Sequence, residues 1–338
     1  MKLTKILVAL SFLFAVSTAH AGELAVSGSM QATYQSETDR TTGNPLGMDK
    51  ELKFSGSTEL DNGLTVTVMQ DTDDALAFGN SLITFGGVMG MVDINIGSDG
   101  GPVDAIDDIT PSAFEEANGS GSGAYNDIGG SAGQMGIGAK FSLPLLGAVN
   151  FKYVPKADAT KNADKTASAD TNAAVGSIQA ITIKTSLGDL PLLGSYLDGA
   201  TLTTGYLDHD HSTVANVDDA YDLTAALNYA TGPFKFGIQK KVHNEGEGAA
   251  ATTDAIFYKD TILGVAYAIN DDLSVSYNRY TSQRHNPTVA NLEQETDAIN
   301  VGYSIGGLTI GFQEAQTDNK SWATGTDDTR TISFKAAF

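Results

Sequence analysis

From Gly22 onward, apolar and polar residues take turns along the chain. Leu24, Val26, Met30, Ala32 and Tyr34 fall on one side of an odd-even split, and Ser27, Ser29, Gln31, Thr33 and Gln35 fall on the other. Successive side chains of a strand point to opposite faces, so this segment reads as a strand with one apolar and one polar face. The pattern returns with Leu64, Val66 and Val68 against Thr65 and Thr67, and with Leu223, Ala225, Leu227 and Tyr229 against Asp222, Thr224 and Asn228. Leu273, Val275 and Tyr277 oppose Ser274, Ser276 and Asn278, while Ile299, Val301, Tyr303 and Ile305 oppose Asn300, Gly302 and Ser304. The last run sets Ile332, Phe334, Ala336 and Phe338 against Thr331, Ser333 and Lys335.

Connections alternate too. Turn-forming residues stand at Asp61-Asn62-Gly63, Met89-Gly90, Thr231-Gly232-Pro233, Asn270-Asp271-Asp272 and Gly306-Gly307. Two longer turns fall at 143–147 and 188–199. Between them lie polar loops at 36–49, 74–77, 99–130, 155–176, 209–219, 244–255, 284–295 and 317–328. Seven turns and eight loops join sixteen strands. Several hairpins restart with one formula, as in Leu64-Thr65-Val66-Thr67-Val68 and Leu273-Ser274-Val275-Ser276-Tyr277. All 8 prolines fall outside these strands, as expected of a residue that cannot donate to a ladder.

The first residues read as an address. Lys2 and Lys5 precede an apolar run from Ile6 to Val16, and Ala19-His20-Ala21 offers the small-x-small pattern of a cleaved secretory signal. The run is too short to span a bilayer as a helix, which takes about 20 residues. Residues 1–21 are therefore expected to be a signal peptide and 22–338 the working domain. That domain holds no cysteine, and the formal charge of −21 becomes −23 once Lys2 and Lys5 are removed. Such a balance disfavours nucleic acid, because phosphate binding needs clustered Lys and Arg.

Alternation alone does not choose between a soluble sandwich and a membrane barrel. A sandwich packs its apolar faces against each other; a membrane barrel turns them to lipid and encloses the polar ones. The alternating long and short connections favour the barrel. So do the aromatics near strand ends in apolar phase, among them Tyr34, Tyr153, Tyr229, Phe234, Tyr277, Tyr303 and Phe312. The chain also ends on an aromatic in that phase, Phe338. The expected fold is an all-β, 16-stranded antiparallel transmembrane barrel.

On these features the sequence resembles the general bacterial porins of the Gram-negative outer membrane. The resemblance rests on the strand starting at Gly22-Glu23-Leu24, the turn-and-loop rhythm, the Gly-rich stretch from Asn80 to Gly101, and the terminal strand from Thr331 to Phe338. It implies a homotrimer in outer-membrane lipid and lipopolysaccharide, with short periplasmic turns, long outer loops and a third loop folded into the lumen. Phe334 and Phe338 look like the carboxy-terminal signature read by the outer-membrane assembly machinery, with Ala336 between them smaller than the residue often found there. No cofactor is implied. The activity implied is passive diffusion of small hydrophilic solutes and ions.

The third loop carries the candidate chemistry. It contains Asp99, Asp104, Asp107, Asp108, Glu115, Glu116 and Asp127, and neither Lys nor Arg. Lysines in polar phase on the strands are Lys53, Lys140, Lys152, Lys184, Lys235 and Lys335, of which Lys53, Lys140 and Lys335 are the selected partners for the constriction. Carboxylates facing ammonium groups across a narrow opening sort ions by sign. The overall charge and the acidic loop predict a preference for cations. Asp71-Thr72-Asp73-Asp74 has the oxygen ligands that suit Ca²⁺ but lacks the glycine and distal Glu of an EF-hand, so a solvated strand end is the better reading. Asp208-His209-Asp210-His211 reads likewise as a polar strand end, with His243 and His285 placed on separate loops. Gly119 to Gly123 is a flexible segment, with no following Lys to suggest phosphate binding.

Three alternatives stand beside the diffusion channel. A substrate-selective porin for sugars or small organic solutes would need aromatics lining the path, and Phe114 and Tyr125 are the only two on the third loop. A barrel hydrolase would need a Ser/His or Asp/His constellation at one rim. A structural barrel would have a plugged lumen.

Overall fold

A computed structural model describes residues 24–38, 43–72, 77–117, 128–129, 134–155, 176–191, 194–210, 219–246, 257–286 and 291–338. The signal segment, Asp73, Asp74, Gly119 to Gly123, Tyr125, Asp127, His211 and Pro287 lie outside the described residues. Sixteen strands run in chain order: β1 Leu24–Glu37, β2 Leu46–Glu59, β3 Thr65–Thr72, β4 Phe78–Val88, β5 Val92–Asp99, β6 Gln134–Leu143, β7 Gly147–Val154 and β8 Ile178–Ser186. They continue with β9 Ala200–His209, β10 Ala220–Thr231, β11 Phe234–Asn244, β12 Phe257–Ala268, β13 Leu273–His285, β14 Glu293–Ile305, β15 Leu308–Asp318 and β16 Thr326–Ala337. Each pairs antiparallel with its chain neighbours, and β1 pairs with β16 to close the barrel. The sixteen expected strands are all present, with short turns at one end and long loops at the other.

Several strands run further into the expected loops, at 36–37, 46–49, 284–285, 293–295, 317–318 and 326–328. Residues 46–49 were expected in a loop but belong to β2, where Leu46 stands opposite Tyr34 and Met48 opposite Ala32. The charged run Asp49-Lys50-Glu51 hides the period-two signal there, yet β1 is long enough to template the pairing.

Burial along the strands is the reverse of a soluble protein's. On β14 the polar phase is buried and the apolar phase exposed: Asn300 is 0% exposed, whereas Ile299 is 58% exposed. Gln239, Asn278, Gln294, Gln313 and Thr317 are all buried, and Leu223, Leu227, Phe236, Val265 and Tyr303 all look outward. Only a surround of hydrocarbon makes this arrangement stable, because each exposed apolar side chain would lose about 1.5–3 kcal/mol of burial in water. Towards the loop end, outward positions turn charged and pair across strands. Arg279 meets Glu295 and Asp297, and Arg330 holds Glu314 at 2.7 Å. These pairs mark where the apolar band ends.

The barrel's closing seam runs through the terminal residue. Phe338 donates its N–H to the Gly28 carbonyl and accepts from the Gly28 N–H, each at 3.0 Å. A Cβ on Gly28 would stand 2.9 Å from the Phe338 ring and 2.6 Å from the Glu51 carbonyl, so the residue opposite the terminus has room for hydrogen only.

Two small apolar clusters sit inside the lumen. Val103 packs with Val154, Ile178, Ala180 and Leu207 beneath Ile128, and Ala117 packs with Ile262, Tyr280, Ala298 and Ala315. Both contain residues of the third long connection, which is thereby fixed at its two ends to the inner wall.

Replacing Leu227 by Arg puts a charge on the lipid face among Ile238 and Leu202. We expect a loss of about 2–4 kcal/mol if this position lies near the bilayer midplane, read from reversible unfolding in lipid vesicles.

Candidate functional site: the inserted third loop

The connection from β5 to β6 opens with a single helical turn, Gly101–Asp104, with Pro102 at its start. Gly101 adopts φ +88°, a conformation that side chains disfavour, and so lets the chain turn inward directly after β5. Residues 106–117 then cross the inner wall from β9 to β15. The wall is built to receive them in two ways.

Glycines clear a track. A Cβ on Gly205 of β9 would meet Ile106 at 2.8 Å, and one on Gly264 of β12 would stand 2.5 Å from the Pro111 carbonyl. Gly237, Gly302 and Gly311 are blocked in the same way by Pro111, Ala113 and the Phe114 ring. Beside the glycines, side-chain amides satisfy the loop's peptide groups. Gln239 donates to the carbonyls of Ile106 (2.8 Å) and Asp107 (2.9 Å) and accepts from the Ile109 N–H at 2.9 Å. Asn228 donates to the Ile109 carbonyl and Asn278 to the Pro111 carbonyl, both at 2.9 Å. The Ser276 hydroxyl accepts from the Ala113 N–H at 2.9 Å, and Asn300 accepts from the Glu115 N–H at 3.4 Å. Gln313 donates to the carbonyls of Glu115 and Glu116. An irregular segment lying on a wall must find partners for its backbone, and amides serve both its donors and its acceptors.

The sequence-selected residues divide into two groups. Asp99 and Asp107 are engaged by lysines of the wall. Lys152 donates to the Asp99 carboxylate at 2.5 Å and to its carbonyl at 2.6 Å. Lys241 reaches Asp107 at 2.7 Å with both side chains buried. Asp107 also accepts from the Ile128 N–H. It therefore anchors the loop to the wall and does not stand out into the lumen as a constriction residue was expected to. Asp104 and Asp108 are exposed, and Glu115 and Glu116 are half-buried. Glu115 and Glu116 feel the Asp108 charge, and Glu115 feels that of Lys335.

Burial raises the Glu115 carboxyl above the usual range; Asp108 adds to this and Lys335 opposes it. The Glu116 carboxyl is pushed up to about 7, first by burial and then by the Asp108 charge. Glu116 thus carries a proton below neutral pH and a negative charge above it.

Of the three selected wall lysines, Lys335 acts on the Glu115 carboxylate. Lys53 and Lys140 are exposed and in inward phase, but they stand opposite Asp71 and Asp93 of neighbouring strands. Lys241 was missed, although it shares the polar phase with Lys235, six positions earlier. Period-two counting carried three steps beyond Lys235 along β11 finds it. Gln239 lies in the same phase; nothing in its local sequence marks it as a loop anchor.

The other candidate groups are structural. His243 is in β11, not in a loop; it lies 2.5 Å from the Asp222 carboxylate, which also accepts from the Gly129 N–H at 2.8 Å. That pair ties the far end of the third loop to the wall. His285 closes β13 and stacks on Phe257. Asp208 faces outward and accepts from the Tyr206 hydroxyl. Asp71 accepts from the Asn80 backbone and side-chain N–H groups. Among the described residues no group of three or more acidic or histidine side chains is arranged to hold a metal ion.

A closed antiparallel barrel, apolar outside and polar inside, with an acidic loop fastened across its inner wall, is the architecture of an outer-membrane channel. The chain belongs to the Gram-negative porin family, whose model matches residues 7–338. It is an outer-membrane porin. No curated protein matches the sequence. Solved structures do. OmpT of Vibrio cholerae aligns at 10% identity and TM-score 0.67, covering 96% of this chain and 100% of that one. OmpF of Salmonella typhi, in complex with daunomycin, aligns at 14% and 0.68, covering 94% and 98%. An anion-selective porin from Comamonas acidovorans aligns at 12% and 0.66, covering 94% and 100%. Identities this low carry the fold alone.

Substituting Lys241 by Ala leaves Asp107 buried without its cation. The expected cost is about 3–5 kcal/mol, measured by denaturant unfolding in detergent, and Lys241→Ala with Asp107→Ala should recover much of it.

Proposed function

We propose that the protein is a passive, weakly selective diffusion porin that favours cations and works as a homotrimer. The observation supporting the ion preference is that the inserted loop carries acidic side chains and neither Lys nor Arg. Asp99 and Asp107 are paired with Lys152 and Lys241, while among the described residues of the loop Asp104 and Asp108 are exposed and Glu115 and Glu116 half-buried. The Lys335 charge acts on Glu115. The fold does not choose the sign, since the Comamonas acidovorans relative of similar fold is anion-selective. The side chains facing the solute must choose it. Lys53 and Lys140 lie on the same inner wall and form the positive side of the passage.

The trimer reading is supported by the first strands and by the trimer form described for OmpT of Vibrio cholerae. Leu24, Val26, Met30, Leu46, Met48, Val68 and Ile83 are exposed on the outer wall, and a depression of about 590 Å³ lies among Leu24, Phe54, Val68, Ile83, Ile96 and Met135. Such a hollow suits the side chains of a neighbouring copy. Lipid and lipopolysaccharide would cover the remaining wall. The terminal strand, with Phe334 and Phe338 outward, would present the assembly signal before closure. We read the chain as a channel and not an enzyme. Its Asp222–His243 pair, in which Asp222 is buried, is occupied with the Gly129 backbone.

The test is a planar bilayer with a salt gradient. The reversal potential should favour cations, and anion preference would refute the assignment. A charge about 4 Å from a passing ion is worth about 1 kcal/mol in water, so Asp108→Asn should lower the cation-to-anion permeability ratio by up to about fivefold. Cation preference should also rise as pH increases through about 7, where Glu116 loses its proton. Glu116→Gln should flatten that rise.

A further inference from the structure

The eighth long connection, residues 319–325 between β15 and β16, folds into the barrel mouth and grips the inner wall. Trp322 donates its indole N–H to the Ser282 hydroxyl at 3.3 Å, and the Ser321 N–H donates to the Gln294 side-chain oxygen at 2.7 Å. Ser282 and Gln294 lie on the inward phase of β13 and β14, and both are fully buried. The Trp322 ring lies 4.9 Å from that of Tyr258, an inward residue of β12, and the Arg284 guanidinium lies 5.3 Å from the indole centroid.

Holding this shape needs unusual backbone. Asn319, Ser321 and Trp322 have φ of 53°, 55° and 55°, a region that non-glycine residues occupy rarely. Three such residues in one short loop persist only where surrounding contacts over-determine them. The contacts to Ser282, Gln294 and Tyr258 do so, and every one of them is with the inner wall.

Charge at this tip is largely compensated. Lys320 pairs with Asp327 at 2.5 Å, and Arg284 rests on the indole, with the buried Asp260 on the adjacent strand. The third loop, by contrast, carries acidic side chains and neither Lys nor Arg.

We propose that the tip of the eighth loop is a second filter, placed outside the first, in which Trp322 sets the size of solute admitted while the third loop sets the sign of its charge. The two filters act in series and separate two properties that one constriction would combine. The assignment rests on the open-channel reading above.

The experiment compares wild-type, Trp322→Ala, Trp322→Phe and Gln294→Ala proteins, reconstituted intact. Liposome swelling with sugars of graded size and single-channel conductance report width; reversal potential reports sign. Removing the indole should raise conductance and shift the size cutoff towards larger sugars, with the reversal potential unchanged. Phe should restore most of the restriction because it returns a ring to the mouth. Gln294→Ala, which leaves Trp322 in place, should shift the cutoff in the same direction by releasing the loop. Asp108→Asn should do the reverse, moving the reversal potential and not the cutoff. A conducting wild type whose cutoff is unmoved by Trp322→Ala and by Gln294→Ala overturns the filter alone. A wild type with no conductance overturns the channel reading and the filter together.

Discussion

A solvent that offers no hydrogen bonds governs this structure. In hydrocarbon every backbone N–H and C=O must find a partner within the protein, and a sheet achieves that only when its last strand meets its first. The pairing of β1 with β16 is therefore the requirement on which the other features depend. It explains why Gly28 gives way to Phe338, and why the apolar side chains can face outward at all. Once closed, the barrel encloses its polar phase, and whatever lies inside must be organised by hydrogen bonds and charge.

The interior solves that second problem with a repeated device. Consecutive strands offer the third loop a glycine, an amide or both: Gly205, Asn228, Gly237 with Gln239, Gly264, Asn278, Gly302 with Asn300, and Gly311 with Gln313. The missing side chains let the loop backbone approach the wall, and the amides replace the water it gives up. Apolar clusters at Val103 and Ala117 and the Lys241–Asp107 ion pair pin the loop to the wall. A loop held this firmly keeps its remaining carboxylates at set positions, which a charge filter needs if ions are to meet the same field at each passage.

Acidic residues on one loop thus serve different ends. Asp99 and Asp107 are structural because lysines reach them, whereas Asp104 and Asp108 are exposed and the Asp108 charge acts on Glu115 and Glu116. The eighth loop follows a different plan, using an aromatic ring and compensated charges at the mouth. Both loops are shaped by the same wall: its inward polar phase supplies Gln239 and Asn300 to one, and Ser282 and Gln294 to the other.

The sequence by itself determined the strands, their number, which face each residue takes and the acidic character of the third loop. Those follow from a period of two and from turn chemistry, which are local properties. The boundary error at 46–49 arose where charged residues mask the period. The pairing of Asp107 with Lys241, the amide track and the inward fold of Trp322 were decided by the tertiary structure alone. Each joins residues remote in the chain, and their meeting depends on strand register and on curvature around a closed barrel. Strand phase tells which way a side chain points; closure tells what it meets there.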